Sequence, residues 1–281
     1  MPASLPPKWK MAAPDPTGTP DFRDKVVLLT GATKGIGLAT ALAFAEHGAR
    51  CIITHKWDSA SHEALREGFA AVGGAPPLIL QADARDDTDT RRVSNEVRSA
   101  FGRLDILVSG VAFGQRVDTS TDYTRRDLIT TIEYTAWPLL SYTQTILTDF
   151  GTPPRYIIGL SSQGPDSYIP NYDLVASAKA VLETECRYLA FRLAGRATVN
   201  IVRAGPVRTE SLEATVGKEW VDALHAHGRL VDASAVAGTV LAICSGWMDA
   251  VTGQVLTVDN GAAFARGAFL DWADRRTQDD P

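Results

Sequence analysis

The sequence predicts an α/β fold: one domain built on a doubly wound sheet of seven parallel strands with helices on both faces. Three observations predict it. Short apolar runs rich in β-branched residues alternate with helical patterns along the chain. The first run leads directly into glycines that open a helix. A length of 281 residues with 45% hydrophobic content suits one large core.

The elements follow in order. Residues 1–22 hold six prolines in the first twenty positions and read as a flexible arm. The domain spans 23–265, and 266–281 forms a tail. "KVVLLT" (25–30) is an unbroken apolar run, as a strand buried on both faces requires. Ile36, Leu38, Ala41, Leu42 and Ala45 then recur at helical spacing over 35–47. Further strands are expected at 50–54, 77–81, 104–108, 155–160, 198–203 and 254–258. Helices are expected at 59–72, 88–101, 124–149, 172–194 and 233–245. This alternation predicts right-handed crossovers in an open sheet. Residues 206–231 break the rhythm after a strand, where a substrate-covering loop is expected.

Bulk properties exclude several functions. The net charge of −5 gives no basic field for nucleic acid or a membrane surface. No apolar run reaches the roughly 18 residues of a membrane span. Cys51, Cys186 and Cys244 are scattered with no C-x-x-C pair, so neither a metal nor a disulfide framework is expected. The N-terminus lacks the apolar core of a secretory signal, and the expected compartment is the cytoplasm.

"TGATKGIG" (30–37) carries the first chemical signal. Gly31, Gly35 and Gly37 let the backbone turn tightly and approach a pyrophosphate, with Thr33, Lys34 and Ile36 between them. The following helix offers free N–H groups and a positive dipole end. A glycine turn that binds nothing is the bland alternative. The strand before it and the helix after it favour dinucleotide binding in a Rossmann-type domain.

The spacing G-x-x-x-G-x-G after a threonine resembles the short-chain dehydrogenase/reductase family, and the resemblance extends from about residue 24 to 261. It implies that "QAD" ends on an adenine-binding acid, Asp83, followed by Ala84. "LDILVSGVA" (104–112) occupies the family's L-D-x-L-V-N-N-A-G segment, with Ser109 and Gly110 in place of both asparagines at the cofactor wall. "GLSS" (159–162) occupies the active-site serine strand. Glu133 stands near the place of an asparagine that holds a relay water. "GQVLTVDNG" (253–261) resembles the C-terminal strand that often lies in a subunit interface.

Strand two ends in Thr54, His55 and Lys56 rather than in the acid that binds a ribose 2′-hydroxyl. Lys34 and Lys56 are therefore expected to face a 2′-phosphate, giving NADPH over NADH; solvated surface lysines are the alternative.

"IPNYDLVASAKAVLETECRYLA" (169–190) holds Tyr172 and Lys179 seven positions apart, where most of the family has Y-x-x-x-K; Val175 fills the ordinary tyrosine place. Seven residues of helix make about two turns, so both side chains face one way. The Y-x6-K spacing and "AGPVRT" (204–209) resemble the enoyl-acyl-carrier-protein reductase branch. That resemblance implies that Tyr172 donates to an enolate oxygen and that Lys179 holds the nicotinamide ribose. It also implies that Gly205, Pro206, Val207 and Thr209 line the nicotinamide end. Ser162 is either an extra donor or a hydroxyl satisfying strand-end backbone.

The leading expectation is an NADPH-dependent enoyl-thioester reductase of fatty-acid or polyketide-like synthesis. A carbonyl reductase with a shifted acid and a cofactor-binding pseudoenzyme are the alternatives. A homo-oligomer, tetramer or dimer, is expected from the long apolar faces of 124–149 and 172–194.

Overall fold

The computed structural model describes residues 18–57, 61–114, 117–119, 121–226 and 228–265. The expected arm, apart from 18–22, and the expected tail lie outside them. Phe22, the last residue of that arm, is buried edge-on against Phe44, with ring centroids 4.9 Å apart.

Seven strands form one parallel sheet: β1 (Val26–Thr30), β2 (Arg50–His55), β3 (Leu78–Gln81), β4 (Ile106–Ser109), β5 (Tyr156–Ser162), β6 (Thr198–Ala204) and β7 (Val255–Val258). Their order is β3-β2-β1-β4-β5-β6-β7. Successive residues of β1 feed opposite cores, as the two-residue period of a strand dictates. Val27 and Leu29 join the layer of α1 (Gly35–Glu46), α2 (His62–Ala71) and α9 (Ala233–Cys244). Val26 and Leu28 join the layer of α3 (Asp87–Phe101), α5 (Trp137–Phe150) and α6 (Asp173–Arg192). Among the described residues, no helix is long and apolar enough to cross a membrane.

Two expectations need correction. The single helix expected at 124–149 is two, α4 (Arg125–Thr135) and α5, which meet at Ala136. Pro138 in the first turn of α5 has no N–H to continue α4, so the chain restarts there. The substrate-covering loop expected at 206–231 is largely helical: it contains α7 (Glu210–Val216) and α8 (Lys218–Ala226). Thr209 caps α7, its hydroxyl accepting from the Leu212 N–H at 3.1 Å. The ends of the segment are tied by the Val231 N–H donating to the Pro206 carbonyl at 2.8 Å.

The strand order reverses between β1 and β4. Open α/β sheets leave a crevice at such a switch, beyond the carboxyl ends of the strands. Gly31 and Gly110 stand at its two sides.

Candidate active site

The crevice is the mouth of a cavity of about 1260 Å³. Its floor begins with the glycine loop. Gly31 adopts φ +67°, and a Cβ there would meet Val111 Cα at 3.1 Å. A Cβ on Gly37 would stand 2.7 Å from the Gly31 carbonyl oxygen. Only glycine permits this approach. Lys34, the N-cap residue of α1, makes no side-chain cap, so the first N–H groups of the helix remain for an anion. This bare helix start beside a side-chain-free cradle fits a pyrophosphate.

The glycine loop from Gly31 to Gly37, except Ala32, lines the cavity, as do His55, Lys56, Ala84 and Gly110. Gly205, Pro206, Val207 and Thr209 line it from the end of β6. Asp83 and Ser109 do not. Ser109 is buried, and its hydroxyl lacks a partner among the described residues.

Both lysines expected to meet a 2′-phosphate are engaged with carboxylates. Lys34 Nζ lies 3.1 Å from Glu210 at the start of α7. Lys56 Nζ lies 2.7 Å from Asp83 and donates to the Tyr134 hydroxyl. The Asp83 bond, with that to Tyr134, raises the Lys56 pKa. Burial pushes the Asp83 carboxyl up, but bonds from Lys56 and the Arg85 N–H outweigh it and hold it below its ordinary value. His55 is buried and bonded to the Trp57 carbonyl and to His62, each at 3.1 Å. Sequence reasoning missed an aromatic wall here. Trp57, Phe113 and Tyr134 pack with centroids 5.2–6.1 Å apart, and Arg85 stacks 4.4 Å from the Tyr134 ring. Trp57 directly follows Lys56 and was within reach of the same argument. Glu133 is exposed, faces Arg85 at 3.7 Å and does not line the cavity.

Tyr172, Lys179 and Ser162 all line the same cavity. Tyr172 is the residue before α6 rather than part of its first turn, and Asn171 ahead of it takes a left-handed φ of +61°. Burial raises the Tyr172 pKa, and the nearby Ser162 hydroxyl tempers the shift. Ser162 Oγ nonetheless has no partner meeting hydrogen-bond geometry among the described residues. It is a buried polar atom left open beside the phenol. Lys179 is 4% exposed, and its Nζ donates to the Leu160 carbonyl at 2.6 Å. Burial lowers its pKa to about 8, with Glu183 opposing the shift. Ser161, the other strand-end serine, is committed: its hydroxyl donates to Glu183 at 2.7 Å. Val175, at the ordinary tyrosine place, packs against Gly114: a Cβ on that glycine would meet the Val175 side chain.

Leu212 from α7, Trp220 and Leu224 from α8, and Tyr168 and Ile169 from the β5–α6 connection add apolar surface to the cavity lining.

Comparison with known proteins places the chain in a family. A family model described as enoyl-(acyl carrier protein) reductase matches residues 31–263. The enoyl-acyl-carrier-protein reductase (NADH) FabI of Aquifex aeolicus is 27% identical over 247 residues, covering 84% of this chain and 90% of that protein. Its namesake from Nostoc sp. is 30% identical over 250 residues, covering 84% of this chain and 95% of that one. A crystal structure of the Aquifex enzyme matches with a TM-score of 0.75 at 26% identity, over 85% of this chain and 96% of that chain. Both relatives are named for NADH, and this overturns the expectation of NADPH. The two lysines behind that expectation are each held by an acid that lies far away in sequence. The chain is an oxidoreductase of the short-chain dehydrogenase/reductase type and belongs to the enoyl-(acyl carrier protein) reductase family.

Proposed function

We propose that this protein reduces the C=C bond of an enoyl thioester, carried on acyl-carrier protein or coenzyme A, with NADH as its cofactor. Its setting would be fatty-acid or polyketide-like synthesis in the cytoplasm. The observation that carries this reading is the shared cavity of Tyr172, at the head of α6, and buried Lys179, seven residues on. The names of the relatives support both the acyl carrier and NADH.

The residues divide the work. The glycine loop and the uncapped start of α1 would hold the pyrophosphate. Ala84 and the Trp57–Tyr134 wall would flank the adenosine, with Asp83 set behind through Lys56. Gly205, Pro206, Val207 and Thr209 would line the nicotinamide end. The dinucleotide, when bound, supplies hydride to the β-carbon of the thioester. Negative charge then develops on the thioester oxygen, several bonds from that carbon. A donor works only where charge appears, and this places the demand on Tyr172. Burial raises its pKa, so the phenol remains a protonated donor at neutral pH. Ser162, with its open hydroxyl, would give a second bond to the same region. Lys179 would hold the nicotinamide ribose and supply positive field. Leu212, Trp220 and Leu224 would take the acyl chain, whose hydrocarbon gains by leaving water.

The test is NADH absorbance with crotonyl and acetoacetyl thioesters in parallel. Oxidation with crotonyl thioester alone supports the reading. Oxidation with acetoacetyl thioester alone replaces it with carbonyl reduction.

A further inference from the structure

Arg203 lies on β6 opposite Ser161 in the β5 register and is only 8% exposed. Its Nε and Nη2 donate to the two Glu183 oxygens at 3.1 and 2.7 Å. Ser161 donates to the same carboxylate at 2.7 Å. Its third arm, Nη1, pairs with Asp166 in the β5–α6 connection. A buried ion pair is weak evidence of a stability role, because desolvation offsets most of its attraction. Such a pair invites a reason beyond stability, and its position offers one.

Asp166 sits in a tight turn. Its own N–H and that of Ser167 both donate to the Gln163 carbonyl at 3.0 Å. Gly164 belongs to the same turn and packs against the Tyr172 ring. A Cβ there would stand 2.9 Å from Tyr172 Cδ1 and Cε1 and 2.8 Å from Ala176 Cβ. A shift of the turn therefore shifts the ring. Glu183, meanwhile, rides on α6, the helix that Tyr172 heads. One rigid guanidinium fork thus grips the chain on both sides of Tyr172: the turn before it and the helix after it.

We propose that Arg203 is a positioning residue for Tyr172, acting through Asp166 and the 163–167 turn. This rests on Tyr172 being the donor named above. It also assigns Asp166, a surface carboxylate at the cavity edge, a part in turnover rather than in stability. The Asp166 side chain is 65% exposed, so its pair adds little to global stability, as is usual for exposed ion pairs.

Asp166→Ala, which removes the acceptor of the Arg203 Nη1–H altogether, tests this in the full chain. It leaves the Arg203–Glu183 pair neutral overall and intact, so the fold is retained. Amide exchange over 163–170, kcat and KM for the reduced thioester, NADH affinity and Tm are measured together. The expected result is faster exchange over 163–170 with α6 unchanged, and a kcat lower by about tenfold, a fraction of the roughly 100-fold that a 1 Å misplacement can cost. NADH affinity and Tm should hold, and Asp166→Glu should recover most of the turnover. A kcat equal to wild type overturns the proposal, whether or not the turn exchanges faster. A loss of kcat accompanied by a clearly lowered Tm also overturns it, since the role would then be structural. If the wild type reduces only acetoacetyl thioester, the enoyl reading fails, and the kcat ratio on that substrate still decides the role of Arg203.

Discussion

Tyr172→Phe removes one hydrogen-bond donor and little else. The ring that Gly164 and Ala176 contact stays in place, because phenylalanine keeps its shape. The lost hydroxyl has Ser162 as its neighbour, and Ser162 Oγ is already without a partner of good geometry. No buried group is newly orphaned, so stability should change by no more than about 1 kcal/mol, the net worth of a typical hydrogen bond. Turnover should respond differently. The donor meets charge that exists only in the transition state, and loss of one such donor costs on the order of 10²–10³ in kcat, or roughly 3–4 kcal/mol. NADH affinity should scarcely move, since Lys179 and the glycine loop are the groups assigned to the cofactor. The assay is steady-state turnover of crotonyl thioester at saturating NADH, with cofactor dissociation measured by fluorescence and Tm by calorimetry. Near-wild-type turnover in the variant would refute the assignment of the phenol, whatever the substrate.

Two further predictions concern Lys179 and assembly. The folded pKa of Lys179, about 8, lies below its ordinary 10.5. Between these values the unfolded chain binds the extra proton, so this group makes the fold more stable as pH rises through that window and less stable as pH falls toward 8. Lys179→Met should remove that gain and also weaken NADH binding; urea unfolding at either end of the window, with the same slope in both proteins, would contradict this. Separately, Tyr188 and Phe191 on α6, Ile129 on α4 and Trp137 on α5 are exposed. Burying them against a second copy should give a homo-oligomer, and light scattering of a monomer at micromolar concentration would count against it.

All seven strands were legible because each is short, apolar and bounded by turn residues. In a parallel sheet covered on both faces, such a run has few other places to go. That the glycine loop, Tyr172 and Lys179 would line one cavity was legible for a similar reason: each lies in a local motif next to a strand or a helix start. What failed was long-range. Lys34 and Lys56 read as free cations, yet Glu210 and Asp83 reach them only after the chain has folded back. The sequence singled out Ser162, and its neighbour's commitment is again a long-range matter: both serines line the cavity, but the Ser161 hydroxyl is tied to Glu183, 22 residues on, while that of Ser162 has no partner among the described residues. The break at Ala136 had a visible cause in Pro138, which the apolar pattern of 124–149 overrode. The α7–α8 pair lay hidden in a segment whose rhythm differed from the alternation around it.

The central claim is that hydride reaches the β-carbon of an enoyl thioester while Tyr172 attends the distant oxygen. NADH deuterated at the transferable position of the nicotinamide follows that hydride directly. With crotonyl thioester as substrate, NMR of the product should locate the deuterium on the β-carbon of a saturated butyryl thioester. Crotonyl thioester recovered unreduced, while acetoacetyl thioester yields a 3-hydroxybutyryl product with deuterium on its carbinol carbon, would contradict the account.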